Sequence, residues 1–207
     1  EYYTDNDEGG IIPDSTFENI QYTVNAYVFK PSTFNDTELR KYLFDGNKLE
    51  LSCLPNVYYK ILAIDSACLN SYDGLRFDYA IQFTLKPFRY AVDNDFTAIS
   101  SGDIVVNEGN RYAKPVIKIA CLGDVDITIN GKRFELKGIE QPIVEGLTGK
   151  IYETVYIDSD RSIVYIDDEI QVGNYNGKFP TLTVGDNEIS WTGDVDSVEI
   201  QKNTRWY

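Results

Sequence analysis

The chain has 207 residues, 43% of them hydrophobic and 14% aromatic, enough for one large or two small domains with a real core. With 33 acidic against 19 basic residues the formal charge is −14, so the surface repels phosphate backbones and nucleic acid is excluded as an expected direct partner. No apolar run approaches the roughly 20 residues that cross a bilayer, and no signal-peptide core opens the chain, so it reads as a soluble protein or a soluble part of one with no membrane partner.

The chain opens abruptly at EYYTDNDEGG and contains no Met, as a fragment would, or a sequence with residues left out. The first clear element is a strand. Ile20, Tyr22, Val24, Ala26 and Val28 alternate with mostly polar neighbours, and Pro31 ends the pattern. The period then changes. Asn35 and Glu38 fit a capping box, Phe34 and Leu39 fit a hydrophobic staple, and Gly46 suits the left-handed position after a helix, so one short helix is expected at about 36–44. Strands follow at Lys48–Leu54 and Val57–Ile64. Cys53 alternates with Leu49 and Leu51, which points it into a core. In RFDYAIQFTLKPF, residues Phe77, Tyr79, Ile81, Phe83 and Leu85 share one face of a strand, and Pro87 is expected to close it.

Residues 91–112 are rich in Asp, Asn, Ser and Gly and read as a connector, with a domain boundary near 108–113. The expected domains are therefore 1–110, β-rich with the one helix, and 111–207. The second opens with a strand at Pro115–Leu122. Val125, Ile127 and Ile129 then lead into Asn130-Gly131, and Phe134 and Leu136 return; Asn-Gly supplies the positive φ angles of a type I′ hairpin turn. Strands at 151–157 and 162–166 come next. The stretch GKFPTLTVGDNEISWTGDVDSVEI, broken at Gly185-Asp186 and Gly193-Asp194, reads as a meander of three short strands. About eight short strands without a helix are the pattern of an antiparallel β-sandwich. The expected fold class is all-β with one short helix.

The chemistry available is narrow. With no His, neither a Ser-His-Asp nor a Cys-His centre can be built. Three Cys without CxxC spacing argue against a disulfide framework and a zinc site and for a reducing place of synthesis. No Gly-rich loop opens a helix, so nucleotide binding has no support. Asp124/Asp126 and Asp194/Asp196 are spaced to share a strand face, as glycosidase carboxyls would, but both pairs abut turns, where Asp serves local hydrogen bonds. Asp5-Asn6-Asp7-Glu8-Gly9 and Asp158-Ser159-Asp160 offer oxygen ligands for Ca²⁺. The first begins like an EF-hand loop but has Thr16 where a bidentate Glu is needed, so both read as solvated acidic turns. Trp191 alternates with Ile189 and reads as core, against an exposed sugar-stacking platform; Trp206 reads as an aromatic pin on the last strand. No catalytic residue, metal or cofactor is expected.

A set of short motifs carries a family resemblance. Tyr112 to Ile119 with Lys114-Pro115, the hairpin Asp126 to Gly131 with Asn130-Gly131, Tyr156 to Ser159, Gly177 to Leu182 with Phe179-Pro180, then Gly185-Asp186-Asn187, Trp191-Thr192-Gly193 and the ending Lys202 to Tyr207 with Trp206 resemble, in this order, the C-terminal domain of the distal tail protein (Dit) family of siphophages and prophages of Gram-positive bacteria. More loosely, Phe17–Ile20, Leu43–Leu51, Val57–Lys60 and Phe83–Tyr90 resemble the N-terminal domain. The resemblance implies a structural role without catalysis. It implies a β-rich N-terminal domain forming a hexameric ring, a C-terminal galectin-like sandwich, and tail-tube and receptor-binding proteins of the same phage as partners. It implies a place in the virion tail after assembly in the bacterial cytoplasm. The residues just named would be structural turn and strand positions. Family members carry several tens of residues before the strand at Phe17, where this chain has sixteen, so the first strands of the ring domain are expected to be missing. The competing readings are a carbohydrate-binding β-sandwich module, which needs an exposed Trp or Tyr on a concave sheet face, and a glycosidase, which needs two carboxyls facing one cleft.

Overall fold

A computed structural model describes residues 3–5, 11–13, 17–29, 41, 43, 48–72, 76–142 and 149–207. The chain divides into two compact units, Glu1–Arg89 and Tyr90–Tyr207.

In the first unit β1 (Tyr3–Asp5) pairs antiparallel with β2 (Ile11–Pro13). A second sheet holds β3 (Ile20–Phe29), β4 (Lys48–Glu50), β5 (Val57–Tyr72) and β6 (Arg76–Ala91), in the order β3-β6-β5-β4. The alternation in the sequence sets the register. Ile20, Tyr22, Val24 and Ala26 stand opposite Leu85, Phe83, Ile81 and Tyr79, so apolar cross-strand pairs line one face and form that unit's core. The strand does not close at Pro87. The β3 pairing ends at Leu85, so Pro87 lacks an N–H where that ladder no longer needs one, and β6 continues to Ala91. The expected helix at 36–44 lies outside the described residues apart from Lys41 and Leu43, both helical, and Leu43 packs on the core. Cys53 is exposed rather than buried, because the strand ends at Glu50 and a turn follows, with the Leu54 N–H donating to Leu51 O (2.8 Å) and Asn56 at φ 66°.

The second unit starts at Tyr90, and residues 91–112 within it are not a bare connector. They contain β7 (Thr97–Ile99) and β8 (Asp103–Asn107), both paired with a later strand. The rest comprises β9 (Val116–Ile129), β10 (Lys132–Ile139), β11 (Glu153–Asp158), β12 (Ile163–Ile166), β13 (Glu169–Gln171), β14 (Tyr175–Gly177), β15 (Gly185–Gln201) and β16 (Arg205–Trp206). The β9–β10 hairpin turns at Asn130 (φ 49°) and Gly131 (φ 75°), the type I′ geometry that Asn-Gly favours.

Two long strands organise this unit. β15 runs antiparallel to the whole length of β9 from Ile189 onward. The first half of β9 pairs with β11 and the second half with β10, while β15 pairs with β8 near its start and β7 near its end. Both strands therefore belong to two sheet halves, β8-β15-β9-β10-β14 and β7-β15-β9-β11-β12-β13. Residues from both halves, among them Ile127, Phe134 and Ile189 from one and Ile119, Val155 and Val198 from the other, form a single buried cluster. The inward face of each half is thus sealed by the other, as in a β-sandwich whose corner strands switch sheets.

The corner is made by glycine and by bulges. Register shifts occur between Gly193 and Asp194 and between Val195 and Ser197. Gly193 sits at φ 112°, and a Cβ there would lie 2.5 Å from Asp124 O. The second shift leaves Asp196 extra, which moves the inward positions of β15 from Asn187, Ile189 and Trp191 to Val198 and Ile200. The expected three-stranded meander is consequently wrong. Its last two members are one strand of 17 residues, because Gly193-Asp194 bends the strand instead of reversing it. Of the first member only the end of β14 and a bridge between Ala113 and Leu182 are present.

Candidate functional site

Asp124, Asp126 and Asp194 of the two acidic pairs are drawn into local structure. Asp124 Oδ1 accepts the Gly138 N–H (2.8 Å), and Asp126 Oδ2 pairs with Arg133 (2.7 Å), which also reaches Glu135 (3.1 Å). Asp194 pairs with Lys150 and accepts the Tyr152 hydroxyl (3.2 Å); the Lys150 hydrogen bond foremost holds its carboxyl below the usual range. Asp158 Oδ1 accepts both the Asp160 and Arg161 N–H groups (3.0 Å each) and so caps its own turn. Among the described residues no three His, Cys, Asp or Glu side chains gather as a metal site would require. The Asp5–Gly9 stretch lies outside the described residues except for the backbone of Asp5. Burial, with Glu153 and Asp194 nearby, pushes the Cys121 thiol up to about 12, so it is inert packing.

Most of the motif positions in the second unit fall into two hydrogen-bonded knots and an aromatic cluster. Asn187, fully buried, centres the first knot. Its Oδ1 accepts from Thr183 N (2.7 Å), Thr183 Oγ1 (3.0 Å) and Asn130 Nδ2 (2.8 Å). Its Nδ2 donates toward Gly185 O (2.8 Å), Thr183 O (2.9 Å) and Val105 O (3.2 Å). Asn130 in turn accepts the Glu188 N–H on Oδ1 (3.0 Å). One side chain thereby ties the turn at Gly185, the edge strand β8 and the Asn130-Gly131 hairpin together.

The second knot fastens the last residues to the unit's first ones. Asn203 (φ 54°) and Asn94 bond reciprocally (2.7 and 2.8 Å), and Asn203 Nδ2 donates to Lys114 O (2.8 Å). Arg205, almost fully buried, donates to Tyr112 O (2.8 Å) and lies over the Tyr112 ring (4.5 Å). Buried Asn107 donates to Arg111 O (2.9 Å) and Leu182 O (3.2 Å) and accepts the Gly109 N–H (3.1 Å). Pro115 is buried, with its carbonyl accepting the Ser159 N–H (3.1 Å), and Lys114 Nζ stands 3.9 Å from Asp160. Asn94 and Asn107 were missed in the sequence, where residues 91–112 read as a polar connector, and Asn203 and Arg205 lay within the Lys202–Tyr207 ending without being singled out. The signal that would have found them is the burial their flanking strands impose.

Phe179 packs against Phe134 and Tyr175 at ring distances of 5.2 and 5.3 Å, beside buried Pro180. Trp191 is half-buried against the main core and Trp206 is half-buried in β16. Outward, a cross-strand row runs Ile170, Tyr165, Tyr156, Lys118, Glu199 and Ala98 across six strands of one sheet half. Tyr156 and Tyr165 stack face to face (4.9 Å, 1°), Phe96 meets Tyr156 edge-on (6.3 Å), and Lys118 pairs with Glu199 (2.8 Å). At the other half's edge, Lys202 Nζ donates to Val106 O of β8 (3.2 Å) and pairs with Glu108 (2.8 Å), placing a charge on an edge strand. These features make surfaces and joints.

No family model matches the chain, and no curated protein matches it. Among solved structures it is similar to the crystal structure of the Dit protein (gp 19.1) of phage SPP1, described as a paradigm of the hub adsorption apparatus in phages infecting Gram-positive hosts. The TM-score is 0.60 at 16% identity, over 95% of this chain and 83% of that one. The shared feature is the fold.

Proposed function

We propose that this chain is a structural tail component of a phage or prophage, a distal tail hub protein that joins the tail tube to the host-recognition apparatus. The observation that carries the reading is the likeness in fold to a phage hub protein across 95% of the chain. The residue motifs support it independently, since they occupy turns, bulges and buried joints, the positions through which a fold is specified. In this reading the β-rich first unit closes a hexameric ring by repeated head-to-tail contacts. The second unit, a galectin-like sandwich, faces outward and presents sheet faces to tail-associated and receptor-binding proteins. The protein turns over no substrate. It is made and assembled in the bacterial cytoplasm and resides in the virion.

The alternative, a carbohydrate-binding module, needs an aromatic face open to a sugar ring. Trp191 spends its face on the core, and the Tyr156 and Tyr165 rings cover each other. The deciding experiment is negative-stain electron microscopy with light-scattering mass on the full-length gene product, alone and with the tail-tube protein encoded beside it. Six-fold rings are expected; a monomer in both samples overturns the hub reading.

A further inference from the structure

Asn-Gly occurs twice in this chain, each time followed by Lys: Asn130-Gly131-Lys132 and Asn176-Gly177-Lys178. The dipeptide is reactive because glycine has no side chain to keep its nitrogen from the asparagine amide beside it. The two copies match in sequence, and the fold makes them unlike. At Asn130 the amide is fully engaged. Nδ2 donates to Asn187 Oδ1 (2.8 Å) and Thr183 Oγ1 (3.1 Å), and Oδ1 accepts the Glu188 N–H (3.0 Å). Asn176 is exposed, and among the described residues its amide has one long partner, Glu135 Oε2 at 3.3 Å.

The β10–β14 ladder orients the other reactant. The Lys137 N–H donates to Asn174 O (2.8 Å), so that opposed pair is hydrogen-bonded. Pairs alternate along an antiparallel ladder, so Glu135 and Asn176 exchange bonds while Phe134 and Gly177 do not. The Asn176 carbonyl therefore points at β10. Across a trans peptide the Gly177 N–H points the opposite way, toward the unpaired side of the sheet's outermost strand. β14 is only three residues long, the kind of edge segment that opens at low cost.

We propose that Asn176-Gly177 is a site of spontaneous covalent modification, at which the side-chain amide is lost and β14 is released from the sheet. The Gly177 nitrogen gives its proton to hydroxide and attacks Asn176 Cγ. The Cγ–Nδ2 bond breaks, Nδ2 takes up a proton and leaves as ammonia, and a succinimide ring closes. Water then opens the ring. Addition at Cγ yields an aspartyl residue; addition at the main-chain carbonyl carbon yields an isoaspartyl link, with an extra carbon in the main chain. Either product sets a carboxylate beside Glu135, and like charges directly opposite weaken a ladder. The isoaspartyl form also shifts Tyr175 against Phe179, whose rings both pack on Phe134. The proposal does not depend on the tail-hub reading.

The test incubates the purified chain in mildly alkaline buffer and follows ammonia release, with peptide mass mapping and isoaspartyl-specific methylation to place the product. In the folded chain Asn176 should convert at least about tenfold faster than Asn130, whose amide must first leave its hydrogen bonds. In guanidinium chloride the two sites should convert at similar rates, since the dipeptides are the same and only the fold separates them. Asn176→Ser should abolish the early ammonia. As conversion proceeds, the Lys137 amide should lose hydrogen-exchange protection. Asn130 reacting as fast as Asn176 in the folded chain, no ammonia from either site, or converted chain with Lys137 still protected overturns the proposal.

Discussion

Replacing Asn187 by Ala removes the centre of the knot that joins β8, the turn at Gly185 and the Asn130 hairpin. Six contacts converge on that side chain, but Nδ2 has two hydrogens and Oδ1 two lone pairs, so about four bonds hold at any one time. The partners divide by access. Asn130 and the Thr183 hydroxyl are exposed enough to bond water instead. The Thr183 N–H and the carbonyls of Val105 and Gly185 depend on Asn187 for these bonds. At about 1–2 kcal/mol for each of the three backbone groups left without this partner, the substitution should cost about 3–6 kcal/mol, a large share of the ~5–15 kcal/mol that holds a typical domain. Urea unfolding followed by near-UV absorbance of the tryptophans gives the midpoint at unchanged m value, and hydrogen exchange reports the Thr183 and Glu188 amides. Both amides should lose protection while Val155 and Ile157 keep theirs. A loss below about 1 kcal/mol with Thr183 still protected would refute the argument that one side chain carries the joint.

Gly193→Ala forces a Cβ toward Asp124 O at φ 112° and should cost about 2–4 kcal/mol, whereas Gly123→Ala, with φ 68° and nothing within 4 Å, should cost only about 1 kcal/mol; thermal unfolding of the two separates clash from backbone strain. The depressed Asp194 carboxyl contributes stability that is present above its ordinary value of 3.8 and is lost as pH falls through its lower folded value, so Asp194→Asn should flatten the acid limb of the stability profile below pH 3.8 and leave pH 7 to 9 little changed in slope. Alkylation of the native chain at pH 8, read by peptide mass mapping, should modify exposed Cys53 at once and buried Cys121 only after denaturant is added.

What could be read in the sequence was what short-range pattern controls. The alternation around Phe83 placed the first core, and Asn130-Gly131 placed a turn whose φ angles the structure reproduces. The errors share a cause in partners distant along the chain. Gly193-Asp194 has the composition of a reverse turn, and only pairing with β9 on both sides makes it a bulge. Pro87 reads as a strand end until the β3 ladder is known to stop at Leu85. β7 and β8 are short and flanked by polar residues, and they are strands because β15 offers them an edge. Of the joints, Asn187 and Asn130 were visible as turn residues, but their mutual bond joins positions 57 apart, which no local pattern encodes.

The sharing of β9 and β15 between both sheet halves also orders events in time. Every half of the second unit needs β15, which leaves the ribosome after all the strands from β7 to β14. Until then β9 carries an unpaired edge of 14 residues rich in Ile and Val, the kind of edge that recruits other chains. With both halves waiting on one strand, neither can fold first, and the unit should form late, in a single slow step dominated by contacts far apart in sequence. A nascent chain stalled before Gly185 would therefore be the aggregation-prone species, and the finished one would have no separable half to unravel.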